Sequence, residues 1–332
     1  MDLRSCHSER SEESISASAV RAALDRGCFH EAAALCPKSS WPYLLADLAQ
    51  RALQMELDTP LKPGLVGPDS NGAHKDMDYA LMQKGIAAIR PFFAPMALAD
   101  TPEALRQLGI EAEEAMLAAT GGVNTHRGAI FCLGLALNVA SRFSQSVDNQ
   151  RFMQSALGDL VGSILRNQLK QSNLTKTALL GARRMALSGY QILFEDWLPF
   201  YRKQKADAVL SGASTLLLAP ESTASAAANQ KLLLHIMSTL DDTCVLKRAG
   251  AERAEAVKLE AKEILRFAQN DKGHMVQNDK GHMVQNDNCH PEELQATKDL
   301  RALCTRYAAE GISPGGAADM LALTIFIDSI LL

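Results

Sequence analysis

The chain has 332 residues, 47% of them hydrophobic and 5% aromatic, enough aliphatic material to bury a sizeable core in one or two domains. A formal charge of -4 supplies no global positive field, which excludes nucleic acid and membrane surfaces as partners held by bulk charge; any polyanion must meet a local cluster, and the expected ligand is small. Cys6, Cys28, Cys36, Cys132, Cys244, Cys289 and Cys304 show no CxxC pair or zinc spacing, so they read as buried apolar residues in a reducing, cytoplasmic compartment.

Residues 1 to 39 stand apart, with Ser, Glu and Arg crowded into SCHSERSEES before a short helical stretch, ISASAVRAALDRG. This segment is expected to be a peripheral extension, and its charged start lacks the apolar stretch of a signal peptide. From Trp41 to Glu56 apolar residues recur at helical spacing, until TPLKPGLVGPDSNG forces a loop. The next helix is predicted from Asp76 to Ile89, stopping at Pro91, and another from Pro102 to Ala119, ending in Gly121-Gly122. Thr125 is expected to cap RGAIFCLGLALNVASRF, which is apolar almost all round and so belongs in the middle of a bundle. Further helical text covers 151–171, 178–201, 229–240, 251–267, 291–309 and 314–331, while 209–218 suits neither periodic element. No strand is predicted. The octapeptide QNDKGHMV at 269–276 recurs at 277–284 and runs on into QNDNCH. Solenoid repeats need about 20 or more residues per unit, so this is read as a surface insertion over 268–290. His274, His282 and His290 could hold a transition metal weakly, but a solvated loop is the plainer reading. The apolar run Met320 to Leu332 is broken by Asp328 and too short to span a bilayer. The fold class that follows is all-α: a single-domain multi-helix bundle over 40–332 with a low-complexity surface insertion.

Chemistry-bearing residues gather in the loops. After Glu56 come Lys62-Pro63-Gly64 and then NGAHKDM, in which Lys62, His74 and Lys75 supply donors for phosphate while Pro63, Gly64 and Gly72 allow sharp turns. Asp76 stands where the next helix should begin, so capping competes with catalysis or metal binding. TGGVNTHRG contributes Asn124, Thr125, His126 and Arg127 at a helix start, which serves either as an anion site or as a capped turn. In SPGGAAD, Ser313 can cap, Pro314 can open the helix, and Gly315 and Gly316 leave its first turn bare for a phosphate or a neighbouring helix. Arg183 and Asp241-Asp242-Thr243 are weaker additions. No GxSxG, HExxH, Walker or GxGxxG pattern is present.

Taken together, KPGLV, NGAHKDM, TGGVNTHRGAIF, LLGARRMALSGY and SPGGAADMLALT resemble, in order and spacing, the triphosphoribosyl-dephospho-CoA synthase family over residues 41 to 332. The resemblance implies a transferase that joins the triphosphoribosyl group of ATP to 3'-dephospho-CoA and releases adenine. Its product would be the prosthetic-group precursor for the acyl carrier protein of citrate lyase or malonate decarboxylase, handed on by a carrier-protein-modifying transferase. Fitted to that chemistry, Glu56, Asp76 and Asp242 become the catalytic acids. Lys62, His74, Lys75, Asn124, Thr125, His126, Arg127, Arg183, Ser313, Gly315 and Gly316 hold the substrates, and Mg²⁺ is shared by the phosphates with Asp76 and Asp242. Three motifs depart from the family pattern. Gly67 replaces an acid after GLV, Met185 replaces the Glu of GxRGEA, and Cys244 with Ala249 alters DTNxxxRGG. They leave open a nucleotide-binding member without turnover, and a metal-dependent phosphohydrolase built on His74, Asp76, His126 and Asp242 is the remaining alternative.

Overall fold

The computed structural model describes residues 19–20, 22–23, 35–142, 149–171, 182–210, 222–269, 276–277, 283–284 and 291–331. A 3-10 turn at Lys38–Ser40 leads into α1 (Trp41–Asp58), followed by α2 (Tyr79–Leu98), α3 (Pro102–Ala119) and α4 (Arg127–Ala140). Then come α5 (Asn149–Gln171), α6 (Ala182–Leu187), a π-helical turn at Leu193–Trp197, α7 (Leu198–Leu210) and α8 (Ser222–Thr239). The chain closes with α9 (Thr243–Gln269), α10 (Pro291–Glu310) and α11 (Gly315–Ile330).

The all-α expectation holds, with one addition. Val276–Gln277 (β1) and Met283–Val284 (β2) pair antiparallel, Val276 opposite Val284, so the junction of the two octapeptide copies makes a two-residue ladder with the end of the second copy. The helix predicted over 178–201 is broken. The chain turns at Ser188, Gly189 and Tyr190, the last two with positive φ, and α6 stays separate from α7. The segment 211–218, part of the stretch that suited neither element, lies outside the described residues, as do His274, His282 and His290. From the N-terminal segment, Ala23 is fully buried in the core.

The helix predicted to stop at Pro91 instead runs through Pro91 and Pro95. Both prolines are exposed. Spaced four apart, they lie on one solvent-facing stripe where water can serve the carbonyls they leave without N–H partners. Its cap also moves: Asp78, rather than Asp76, accepts from the Leu81 N–H at 2.8 Å. The α9 helix starts earlier than predicted, at Thr243, with a non-helical Gly250 inside it.

Two apolar helices organise the bundle. α4 is buried from Ala129 to Ala140, apart from the partly covered Phe131, and α11 from Met320 to Ser329. They pack against each other, with α1 against both, α2 and α3 on α4, and α8 and α9 on α11. The buried polar groups in them are satisfied. Asn138 donates to the Met96 and Ala99 carbonyls at the end of α2 at 3.0 and 2.8 Å. Asp328 accepts from Arg202 and Lys205 at 2.8 and 2.7 Å, tying α11 to α7. This arrangement brings the starts of α4, α9 and α11 to one end of the core.

Candidate active site

A cavity of about 1050 Å³ opens where those three helix starts meet the end of α1 and the loop behind it. Its walls include Glu56, His74, His126, Asp242, Ser313 and Asp319.

The loop after α1 is held by backbone contact. Gly64 has φ +71°, and a Cβ there would lie 1.9 Å from the Ile312 carbonyl oxygen, so only glycine lets the loop lie against the strand of chain that opens α11. The Ala73 N–H then donates to the Gly64 carbonyl at 3.1 Å. This clasp sets the His74 Nε2 2.8 Å from the Ser313 Oγ, so two residues 239 positions apart share one wall. Burial, and then the Arg248 charge, push the His74 imidazole below its usual pKa.

The α9 and α11 helix starts share one carboxylate. Asp242 accepts from the Cys244 N–H at 2.7 Å, opening α9, and from the Ala317 N–H at 2.9 Å, opening α11. Ser313 therefore does not cap α11, and Pro314 stands at the cap without a side-chain bond. At α4, Asn124 Oδ1 accepts from the Arg127 N–H at 3.1 Å. Thr125, expected as the cap, instead pairs with the His126 Nδ1 at 2.8 Å. A third acid completes the pattern: Asp319, on the first turns of α11, accepts a backbone hydrogen bond from Ala129 on α4. A Cβ on Gly128 would sit 1.8 Å from Asp319 Oδ2, so that glycine makes room for the carboxylate.

Burial governs the charges. It pushes Glu56, Asp242 and Asp319 up, Asp319 farthest because the Asp242 and Glu56 charges add to it. It also lowers His126 to about 3, with Lys62 adding to the effect, so this imidazole is neutral at physiological pH. The His126 Nε2 is buried without a hydrogen-bond partner, an arrangement that costs free energy until a ligand supplies one.

Comparison with known proteins identifies the family. The model for "ATP:dephospho-CoA triphosphoribosyl transferase" matches residues 42–331. The chain is 35% identical over 300 residues to the "Probable 2-(5''-triphosphoribosyl)-3'-dephosphocoenzyme-A synthase" of Pseudomonas syringae pv. syringae, covering 86% of this chain and 91% of that protein. The protein of the same printed name in Stutzerimonas stutzeri is also 35% identical, over 86% of this chain and 90% of its own. The "2-(5''-triphosphoribosyl)-3'-dephosphocoenzyme-A synthase" of Pectobacterium atrosepticum is 33% identical, over 85% and 88%. The chain belongs to the ATP:dephospho-CoA triphosphoribosyl transferase family. It is an enzyme of that class. No solved structure matches it.

Of the site residues that the sequence points to in this transferase family member, Glu56, His74, Asn124, Thr125, His126, Arg127, Asp242, Ser313, Gly315 and Gly316 all line the cavity. Lys62 does not. Its Nζ is buried, donating to Glu56 Oε1 at 2.5 Å and the Glu56 carbonyl at 2.7 Å, behind the wall that Glu56 forms. Lys75 and Asp76 are exposed and stand outside the lining, whereas Met77 after them returns to the cavity wall. Of the two carboxylates expected to share Mg²⁺, Asp242 lines the cavity and Asp76 does not. Among the described residues no three His, Cys, Asp or Glu side chains are grouped to hold a metal ion. Arg183 lies on α6, but its side chain is outside the described residues.

Sequence reasoning passed over Asp319, Arg106, Lys247 and Arg248, all of which line the cavity. Asp319 looks in sequence like an ordinary first-turn acid; the signal that sets it apart is Gly128, a glycine in a helix opening where nothing local requires one. Two of the altered family positions, Met185 and Cys244, also face the cavity. Gly67 is buried, and a Cβ there would lie 3.4 Å from Lys62 Cε, beside the Glu56–Lys62 pair.

Proposed function

We propose that this cavity is where the 2'-hydroxyl of 3'-dephospho-CoA displaces adenine from C1' of ATP, giving the triphosphoribosyl conjugate. The observation that carries the reading is the cavity itself. At about 1050 Å³ it is at the upper end of the ~300–1,000 Å³ of ordinary ligand pockets, suited to two nucleotides meeting end to end. Its wall combines cations at the rim with neutral imidazoles and buried carboxyls deeper in.

Phosphates belong to the rim. Lys247 and Arg248 on α9, Arg106 on α3 and Arg127 at the start of α4 supply charge-assisted donors. Arg127 is already oriented by an ion pair with Glu113. His74 and His126, held neutral by burial, act as hydrogen-bonding groups toward ribose or base, not as phosphate cations. Mg²⁺ enters with the triphosphate as part of the substrate, carried by phosphate oxygens, since Asp242 spends its oxygens on helix starts. The ribosyl centre, which develops positive charge as the C1'–N9 bond opens, is favoured by the carboxyls of the floor.

We infer further that the product passes to a transferase that loads it onto an acyl carrier protein of a citrate lyase or malonate decarboxylase, and that the chain works in the cytoplasm. No helix among the described residues is long and apolar enough to cross a membrane. A second reading, binding without turnover, draws on Met185 and Cys244, which put a thioether and a thiol where the family pattern has Glu and Asn. Incubation of the purified chain with MgATP, with and without dephospho-CoA, followed by chromatography for adenine, separates the two. Adenine that appears only when both substrates are present supports the transferase; ATP binding with no adenine under any condition supports the second reading.

A further inference from the structure

The displacement needs a group to take the proton of the attacking hydroxyl, and most acids of the cavity are already committed. Asp242 spends its oxygens on the Cys244 and Ala317 N–H groups. Glu56 is locked to Lys62, Glu113 to Arg127, and Asp241 to Lys258. Asp319 differs. It lines the cavity, and Gly128 clears the space its Oδ2 occupies. A second, independent feature marks the same place as a ligand site. His126 is 3% exposed, its Nε2 has no partner, and it lines the cavity two residues before Gly128.

We propose that Asp319 is the catalytic base of the transfer, a carboxylate at the start of α11 that accepts the proton of the dephospho-CoA 2'-hydroxyl as its oxygen attacks C1' of ATP. The O2'–C1' bond forms as the C1'–N9 bond breaks. The electron pair of the broken bond leaves on adenine, which takes one proton from solvent at N9 while Asp319 returns the hydroxyl proton to solvent, so the protons balance. The inference rests on the transferase reading and deepens it. Burial and the neighbouring Asp242 and Glu56 charges raise the proton affinity of Asp319 above that of an ordinary carboxylate, the direction in which a base accepts a proton more readily.

The test compares the full-length wild type with Asp319→Asn and Asp319→Ala in adenine release from MgATP and dephospho-CoA, alongside ATP binding by calorimetry. The expected result is a kcat loss of about a hundredfold or more in Asp319→Asn, with ATP affinity within about threefold. The fall of wild-type kcat on acidification should be absent from this variant, and added formate should restore part of the Asp319→Ala rate. An Asp319→Asn kcat within about threefold of wild type overturns the assignment. A loss matched by lost ATP binding, with no formate rescue, overturns it equally, because that is the mark of a structural role. Should Asp319→Asn not fold, Asp319→Glu takes its place: a kcat reduced about tenfold or more with intact ATP binding supports the base, and an unchanged kcat removes it. A wild type that releases no adenine defeats the transferase reading itself, whereas an active wild type with an undiminished variant defeats only the role of Asp319.

Discussion

His126 and Asp319 face the same cavity and shift in opposite directions, because burial disfavours whichever form carries charge. For His126 the folded value is about 3 against 6.5 for the free side chain. Below about 6.5 the unfolded chain gains a proton that the folded chain does not take, so His126 withdraws stability as pH falls from that point toward 3 and withdraws none above it. Urea denaturation from pH 7 to pH 5 should therefore show a smaller loss of stability in His126→Gln than in the wild type; equal losses would contradict the buried, neutral imidazole. Gly128→Ala is a second check at this scale. Its methyl would meet Asp319 Oδ2 at 1.8 Å, so a stability loss of about 1–3 kcal/mol is expected together with a marked drop in adenine release. Residue identities around the cavity were largely readable from the loop motifs, as with His74, His126 and Asp242. Placement was not: Lys62 looks like a wall residue until its burial against Glu56 is seen, and Asp319 meets Gly128 on a helix far from it in sequence.

Helix starts carry most of the differences between pattern and structure. Capping residues were sought next to the helices they cap, and one was found at Asp78, two residues from the expected Asp76. The α11 cap is instead supplied through space by Asp242, which a linear reading has no means to see. Because one carboxylate opens two helices, Asp242→Ala should cost about 2 kcal/mol, two caps at about 1 kcal/mol each, measured by urea unfolding, while Asp242→Asn should keep part of that through its remaining carbonyl. An unchanged midpoint in Asp242→Ala would mean the caps are not load-sharing. The second turn of α9 bears the rim cations. Arg248→Ala should raise KM for ATP by about tenfold with a smaller change in kcat, as expected for loss of a phosphate contact made equally before and during the reaction. A change confined to kcat would place Arg248 at the reacting centre instead.

At the scale of the whole molecule, the bundle follows from composition and periodicity. Text that is apolar on every side, as in RGAIFCLGLALNVA and MLALTIFI, can only be central, and α4 and α11 are. The break at Ser188-Gly189-Tyr190 and the passage of α2 through two prolines escaped the pattern because both depend on where solvent and neighbours lie. The convergence of three helix starts on one cavity is likewise a property of the assembled bundle, and it is what makes the scattered loop motifs one site. The most direct measurement is the stoichiometry of the reaction in a single mixture of MgATP and dephospho-CoA, with adenine quantified by chromatography and the conjugate by mass spectrometry. Equimolar adenine and triphosphoribosyl-dephospho-CoA, with neither formed when dephospho-CoA is omitted, is the predicted result. Adenine released without conjugate, or phosphate released without adenine, would contradict it.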